Sequence, residues 1–157
     1  MKQRSGLKAF FNDIKRRQVQ MKNILIVDDS RSGLAEIKAL LSDEYNVMPV
    51  LSGAQALKYL SIKKPDLILL DVFMPEMDGF EVINQIKADE RTADIPVIFL
   101  TADISPEMKL KCCEAGAEDY AAKPIVPAAL KRRISRILEL YDLRAKLAEV
   151  GAVGDKL

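Results

Sequence analysis

The sequence predicts an α/β fold in which a doubly wound, five-stranded parallel sheet carries helices on both faces. From residue 22 onward, short apolar runs alternate five times with amphipathic stretches, and this alternation is typical of consecutive βα units. The third run, residues 67–70, is apolar at every position, as expected for a strand buried on both faces. A chain of 157 residues accommodates one such domain with additional segments at its ends.

The predicted strands are short and aliphatic, and each is followed by a helix. The strands cover residues 24–27, 47–51, 67–70, 97–100 and 119–122. The helices that follow are marked by Leu34, Ile37 and Leu41, by residues 53–62, by Phe80, Ile83 and Ile86, by Pro106 at a helix start, and by a pattern from Pro127 to about residue 149. Right-handed crossovers between such strands place all their carboxyl ends at one edge of the sheet.

The last predicted helix is extended and carries two apolar stripes. The first stripe, which we expect to pack on the sheet, consists of Leu130, Ile134, Ile137 and Tyr141. The second stripe lies beyond the domain and consists of Leu140, Leu143, Leu147 and Val150. Because nothing in the domain covers the second stripe, it favours a parallel helical pair that forms a homodimer, with a solvated tail as the alternative.

The first 20 residues have a different composition from the rest. Residues 1–20 carry six basic side chains and one acidic side chain, and Leu7, Phe10, Phe11 and Ile14 recur at helical spacing. A basic amphipathic helix of this kind lies on a membrane surface or docks on a partner. We favour the plainer interpretation, an extension without a role in the domain. The predicted division is therefore an extension over 1–20, a domain over 21–136, and a helical linker and tail over 137–157.

Composition excludes several classes of function. The chain has no histidine, so histidine-based acid–base catalysis, Ser-His-Asp triads and histidine metal sites are excluded. The 24 basic and 23 acidic residues nearly balance, and no DNA-binding motif is present, so we expect no direct nucleic-acid binding. No apolar run approaches the roughly 18 residues of a membrane span, and no secretory signal is visible, so we expect a cytoplasmic protein.

Polar side chains directly follow four of the predicted strands. Asp28 and Asp29 follow the first strand, Asp71 the third, Thr101 the fourth and Lys123 the fifth. Three carboxylates that meet at one sheet edge repel each other, so we expect a cation among them. Oxygen ligands without histidine or thiolate suit Mg²⁺. Together with a hydroxyl and an ammonium group, this set suits phosphoryl transfer to an aspartate nucleophile.

The same residues resemble the receiver domain of two-component response regulators. The matching motifs are Asp28-Asp29, Asp71 with Met74-Pro75 and Asp78-Gly79 behind it, Thr101-Ala102, and Tyr120 three residues before Lys123-Pro124. The resemblance covers about residues 22–136. It implies the flavodoxin-like strand order 2-1-3-4-5.

The resemblance implies a phosphoacceptor and a metal site. Asp71 would accept a phosphoryl group from the phosphohistidine of a histidine kinase or phosphotransfer protein. Asp28, Asp29, Asp71 and the backbone carbonyl of Phe73 would hold Mg²⁺. The bond between Lys123 and the following proline is often cis in this family.

The resemblance also implies a switch. Lys123 would pair with Asp71 or its phosphoryl oxygens, and Thr101 would hydrogen-bond the phosphoryl group while Tyr120 rotates into the space that Thr101 vacates. This exchange would change the face formed by the fourth strand, the next helix and the fifth strand. Phe73 and Asp103 occupy positions that tune the lifetime of the phosphorylated state, and we expect slow self-dephosphorylation.

The leading interpretation is a phosphorylation-controlled switch that is an enzyme at most toward its own aspartate. The alternative is a stand-alone or degenerate receiver that acts as a docking scaffold. An aspartyl-phosphate phosphatase is less favoured, because Phe73 stands where those enzymes usually carry a second acid. A flavin protein is disfavoured because the two acids after the first strand repel a phosphate. Residues 136–147 resemble linkers to cyclic-dinucleotide output domains, so we expect such a domain beyond this chain.

Overall fold

The structure is a computed structural model that describes the backbone of residues 2–154 and the side chains of residues 5–16 and 21–151. A five-stranded parallel sheet lies at its centre in the order β2-β1-β3-β4-β5, so the predicted fold class and strand order are confirmed. The strands are β1 (Asn23–Val27), β2 (Asn46–Val50), β3 (Leu67–Asp71), β4 (Val97–Thr101) and β5 (Asp119–Ala122).

Helices cover both faces of this sheet. They are α1 (Lys2–Gln20), α2 (Arg31–Leu41), α3 (Gly53–Leu60), α4 (Gly79–Ala88), α5 (Pro106–Glu114) and α6 (Pro127–Gly154). One core layer lies between the sheet and helices α3, α4 and α5. The other lies between the sheet and helices α2 and α6. The domain is therefore doubly wound.

Alternation along the strands explains their apolar character. In β3, Leu67 and Leu69 belong to the α2–α6 layer, whereas Ile68 and Leu70 belong to the α3–α5 layer. Since both faces are covered, residues 67–70 of this central strand are all buried and apolar. Strand β2 lies at an edge and is only partly buried, and an edge strand tolerates Pro49, which has no N–H to donate.

Capping residues mark the start of four of the helices that follow strands. The side chains of Ser30, Ser52 and Ser105 each accept a hydrogen bond from a backbone N–H in the first turn of α2, α3 and α5. Asp78 caps α4 in a reciprocal capping box with Glu81. These caps satisfy N–H groups that have no partner inside the helix. They therefore fix the short loops at the edge of the sheet that carries the polar residues.

Gly79 allows helix α4 to begin directly against the end of strand β3. A Cβ atom at this position would lie 2.4 Å from the carbonyl oxygen of Asp71 and 3.0 Å from a ring carbon of Phe99. The Gly79 N–H donates to the carbonyl oxygen of Val72 over 2.8 Å. Only glycine fits such a close backbone approach, and the approach holds the end of β3 in place.

The two terminal helices extend beyond the sheet. Helix α6 continues to Gly154, five residues beyond the predicted end, because its backbone stays helical through Gly151 and no proline intervenes. Its first stripe packs on the sheet, with Leu130, Ile134 and Ile137 buried. The second stripe is exposed, from 40% at Leu140 to 70% at Val150.

Helix α1 covers most of the basic extension. The side chains of Leu7, Phe10 and Phe11 are each more than half exposed. None of the helices in the described part of the chain has the length and apolar character of a membrane span.

Candidate functional site

Three carboxylates meet at the carboxyl edge of the sheet. Asp28 and Asp29 follow the last residue of β1, and Asp71 ends β3. One oxygen from each of the three lies within 4.8 Å of the other two. Asp28 and Asp71 are buried, with 1% and 5% of their surfaces exposed, while Asp29 is exposed. The predicted cluster is therefore assembled, with one member open to solvent.

Lys123 supplies the positive charge within this cluster. Its Nζ atom lies 3.0 Å from Oδ2 of Asp28 and 3.2 Å from Oδ1 of Asp71. The resemblance implied the pair of Lys123 with Asp71, and the structure adds the ion pair with Asp28. The Lys123 N–H donates to the carbonyl oxygen of Thr101 over 2.8 Å, and the Lys123–Pro124 peptide bond is cis.

Burial and charge oppose each other at Asp71. Desolvation raises the pKa of this carboxyl from 3.8 to about 6, with the charge of Asp28 acting in the same direction. The charge of Lys123 lowers the pKa of Asp71 but does not cancel the desolvation. On Lys123, desolvation lowers the pKa, yet the bonds and charges of the two aspartates outweigh it, so the pKa lies above its ordinary value. The three carboxylates therefore carry more negative charge than Lys123 alone neutralises.

The donor set fits a hard divalent cation. The three acids offer oxygen atoms only, close enough together to bind one ion, and carboxylate oxygens are the ligands that Mg²⁺ takes in proteins. The exposure of Asp29 leaves the cluster open to water, which Mg²⁺ usually retains in its coordination shell. The residues present therefore fit a bound Mg²⁺ ion.

Thr101 lies at the end of β4 and is 1% exposed. Its hydroxyl accepts the N–H of Asp103 over 3.0 Å. The Asp103 carboxylate accepts the N–H of Ser105 over 2.9 Å, and this bond lowers the pKa of Asp103. Asp103 is thus tied both to Thr101 and to the start of helix α5.

Phe73 and Tyr120 are the remaining residues that the sequence predicted for the site. Phe73, two residues after Asp71, has 59% of its surface exposed. Tyr120 is partly buried against the α3–α5 core layer. Lys109 and Arg133 lie over its ring at 5.5 Å and 5.8 Å from the centroid. Neither cation was predicted from the sequence.

The comparison with protein families decides the classification. Residues 24–135 match the family described as the response regulator receiver domain. This chain belongs to that family. Members of the family take part in two-component signal transduction, and the resemblance drawn from the sequence is thereby confirmed.

Curated relatives of this receiver domain differ widely in length. A probable cyclic di-GMP phosphodiesterase of Vibrio cholerae is 46% identical over 116 residues, which is 74% of this chain but only 26% of that protein. The two-component response regulator ORR3 of Oryza sativa is 36% identical over 118 residues, 74% of this chain and 90% of that protein. The phosphodiesterase name describes a protein of which the match spans about a quarter, so it assigns no such activity to the receiver itself.

A solved structure of similar fold holds a magnesium ion. The receiver domain of the sensor histidine kinase PA1611 from Pseudomonas aeruginosa, with a magnesium ion coordinated in its active-site cleft, has a TM-score of 0.71 and 33% identity. The match covers 76% of this chain and 98% of that one. The acidic cluster described above is therefore of the kind that binds Mg²⁺ in a related receiver domain.

Proposed function

We propose that Asp71 is the phosphoacceptor of this receiver domain. A carboxylate oxygen of Asp71 attacks the phosphorus atom of a phosphohistidine on a histidine kinase or phosphotransfer protein. The phosphorus–nitrogen bond breaks, and the imidazole leaves with its electron pair. The observation that carries this proposal is the position of Asp71, buried beside Asp28 and within 3.2 Å of the Lys123 ammonium group.

The neighbouring side chains stabilise the charge that develops on the phosphoryl group. Asp28, Asp29, Asp71 and the Phe73 carbonyl oxygen are the proposed ligands of Mg²⁺, which when bound neutralises phosphoryl charge. Lys123 binds a phosphoryl oxygen through a charge-assisted hydrogen bond. Thr101 donates its hydroxyl to another phosphoryl oxygen and gives up the hydrogen bond that it donates to the Asp103 carbonyl oxygen.

Phosphorylation turns this chemistry into a conformational signal. The phosphoryl group brings a charge of about −2 and three acceptor oxygens, so bonds from Thr101 and Lys123 to it exist only in that state. We propose that Thr101 moves toward the phosphoryl group and that Tyr120 rotates into the vacated space. The β4-α5-β5 face changes with these two residues, and partners read that face.

Intact mass spectrometry tests the phosphoacceptor. The protein is incubated with acetyl phosphate and Mg²⁺, and Asp71→Asn is the matched variant. We expect one phosphoryl-sized increment in the wild type, and none in the variant or in the presence of EDTA. An absent increment under every condition would reject the proposal in favour of a degenerate receiver that acts as a docking scaffold.

We propose that residues 137–157 link this receiver to its output through a homodimer. The second stripe of α6 repeats at spacings of three and four residues, as the a and d positions of a parallel coiled coil do. In that register, Glu139 takes a g position and Arg144 the e position five residues later, and opposite charges at these positions pair across parallel dimers. The V. cholerae relative supports an output in cyclic-dinucleotide metabolism.

Size-exclusion chromatography with light scattering tests the dimer. We expect beryllofluoride and Mg²⁺ to shift the wild type toward a dimer and Leu147→Glu to remain a monomer. Leu110→Glu is the matched control, because Leu110 is as exposed as Leu147, at 60% against 62%, but lies on α5. If Leu110→Glu abolishes the dimer and Leu147→Glu does not, the protein dimerises through the α5 face, and the proposal is wrong.

Phe73 and Asp103 are the proposed determinants of the lifetime of the phosphorylated state. The ring of Phe73 offers no hydrogen bond to a hydrolytic water, and the Asp103 carboxylate, held by Ser105, keeps negative charge near the route of an attacking hydroxide. Both effects favour slow loss of the phosphoryl group. Residues 21–136 are the proposed receiver unit, and residues 1–20 an extension outside it.

A further inference from the structure

Two cationic side chains from different helices lie over the ring of Tyr120. The Lys109 Nζ atom of α5 lies 5.5 Å from the ring centroid, and the Arg133 guanidinium carbon of α6 lies 5.8 Å from it. Cations within about 6 Å of an aromatic centroid are attracted by the ring's electron density. The ring is therefore bound in its present position by more than apolar packing.

Arg133 is itself fixed by the residue that precedes Tyr120. Its Nη1 atom lies 2.7 Å from Oδ2 of Asp119, and the other carboxylate oxygen of Asp119 accepts the N–H of Tyr120 over 2.8 Å. The guanidinium, the carboxylate and the Tyr120 backbone thus form one closed set of contacts. A guanidinium held in this way pays less entropy to stay over the ring than a free side chain does.

The residue directly before strand β5 also contacts helix α6. The Tyr141 hydroxyl of α6 donates a hydrogen bond to Glu118, one residue before Asp119. Arg133 and Tyr141 are eight residues apart, about two helical turns. Residues 118–120 are therefore joined to the part of α6 from which the exposed second stripe continues.

We infer that Lys109 and Arg133 are positioning residues that hold Tyr120 in the unphosphorylated arrangement and so set how readily the receiver switches. The inference rests on the proposed function, in which the Tyr120 ring moves toward Thr101. In the inferred switched state the ring has left both cations, so the lost attraction opposes switching. A ligand that favours the switched state must overcome this opposition, and its apparent affinity falls accordingly.

Removing either cation tests the inference through the affinity for a phosphoryl analogue. Beryllofluoride binding in the presence of Mg²⁺ is measured by calorimetry for the wild type, Lys109→Met and Arg133→Met. We expect each variant to bind about two- to fivefold more tightly, the factor that one exposed cation–π contact supplies. Lys109→Met leaves the Arg133–Asp119 ion pair intact, so it remains informative if Arg133→Met destabilises the fold.

The matched control is Lys111→Met. Lys111 lies on the same helix as Lys109, and its Nζ atom is 4.7 Å from the ring centroid of Phe80, a ring with no part in the switch. We expect its affinity for beryllofluoride to equal that of the wild type. A tighter Lys111→Met would show a general charge effect and overturn the inference.

Fluorine NMR of protein labelled with fluorotyrosine reports on the ring directly. The chain has four tyrosines, and Tyr120→Phe identifies the Tyr120 signal. Without ligand, we expect this signal in Lys109→Met and Arg133→Met to lie closer to its beryllofluoride-bound position than in the wild type. A merely structural role for the two cations would not produce that shift.

The outcomes separate the inference from the function on which it rests. Wild-type protein that binds no beryllofluoride would contradict the proposed function. Wild-type binding together with unchanged or weaker affinity in Lys109→Met and Arg133→Met would overturn the inference alone. Tighter binding in both variants with an unchanged control supports it.

Discussion

Replacing Lys123 by methionine removes the positive charge from the acidic cluster and leaves a side chain of similar length. At an effective dielectric constant of about 20, charges 3.0 Å and 3.2 Å apart attract by about 5 kcal/mol each. Most of this attraction offsets the cost of taking the groups out of water, and losing one partner of a buried pair typically costs about 3–5 kcal/mol. Asp71 reduces the loss of stability in the variant. Its pKa of about 6 rises further without Lys123, so the carboxyl takes up a proton and no longer carries an unpaired buried charge.

We therefore expect Lys123→Met to lower the free energy of unfolding by about 2–4 kcal/mol in EDTA at neutral pH. Urea denaturation measures this difference. Adding Mg²⁺ reduces the stability difference between wild type and variant. A ligand that binds only the folded state stabilises that state, and the variant gains more because its carboxylates have no competing ammonium group.

Lys131→Met is the control for the loss of a lysine ion pair as such. Lys131 lies 3.4 Å from Glu44, with both side chains well exposed, and exposed pairs contribute at most about 1 kcal/mol. If Lys123→Met costs no more than Lys131→Met in EDTA, the electrostatic reasoning about the site is refuted.

Three further predictions concern the fold and the lifetime of the phosphorylated state. Gly79→Ala forces the end of β3 and the start of α4 apart and lowers the free energy of unfolding by about 1–3 kcal/mol. The control Gly6→Ala has open space at its Cβ position and is neutral or stabilising. Equal urea midpoints for the two variants would contradict this prediction. Burial, followed by the bond to Glu118, raises the pKa of Tyr141 from 10.0 to about 12. The neutral phenol therefore stabilises the folded state below pH 10, and this stabilisation is lost as pH rises toward 12. The difference in free energy of unfolding between wild type and Tyr141→Phe shrinks over that window. A difference that stays constant from pH 10 to pH 12 would be inconsistent with the raised pKa. Phe73→Gln offers a hydrogen bond to hydrolytic water and shortens the half-life of the phosphorylated protein several-fold, which is measured as loss of a radiolabelled phosphoryl group. An unchanged half-life would show that Phe73 does not set the lifetime.

Periodicity made the architecture predictable because each strand and helix buries a face that the sequence marks. The apolar run at residues 67–70 predicted a strand covered on both sides, and β3 has that burial. The polar ends of strands were harder to predict. Asp71 and Thr101 belong to β3 and β4, one residue beyond the predicted ends, because their backbones still pair with a neighbouring strand.

The helical extensions were predicted from the sequence only in part. The second stripe of α6 indicated an uncovered apolar face, and the structure leaves that face exposed. Its end at Gly154 was missed because glycine lowers helix propensity without ending a helix, unless the backbone turns left-handed.

The candidate site was predictable where residues follow strands and unpredictable where contacts depend on side-chain reach. Asp28, Asp71 and Lys123 were placed together by the rule that parallel strands end at one edge. The contacts of Tyr120 with Lys109 and Arg133 join residues 11 and 13 positions apart across two helices. No residue spacing in the sequence predicts these contacts, because they depend on how α5 and α6 pack beside β5.

The most direct test of the central claim is to locate the phosphoryl group chemically. Protein phosphorylated with acetyl phosphate and Mg²⁺ is treated with borohydride, which reduces an acyl phosphate to the alcohol and so converts aspartyl phosphate to homoserine. Peptide mapping then reads the modified position. The account predicts homoserine at residue 71 alone. Homoserine at position 28 or 29, or a phosphorylated protein that yields none, would contradict it.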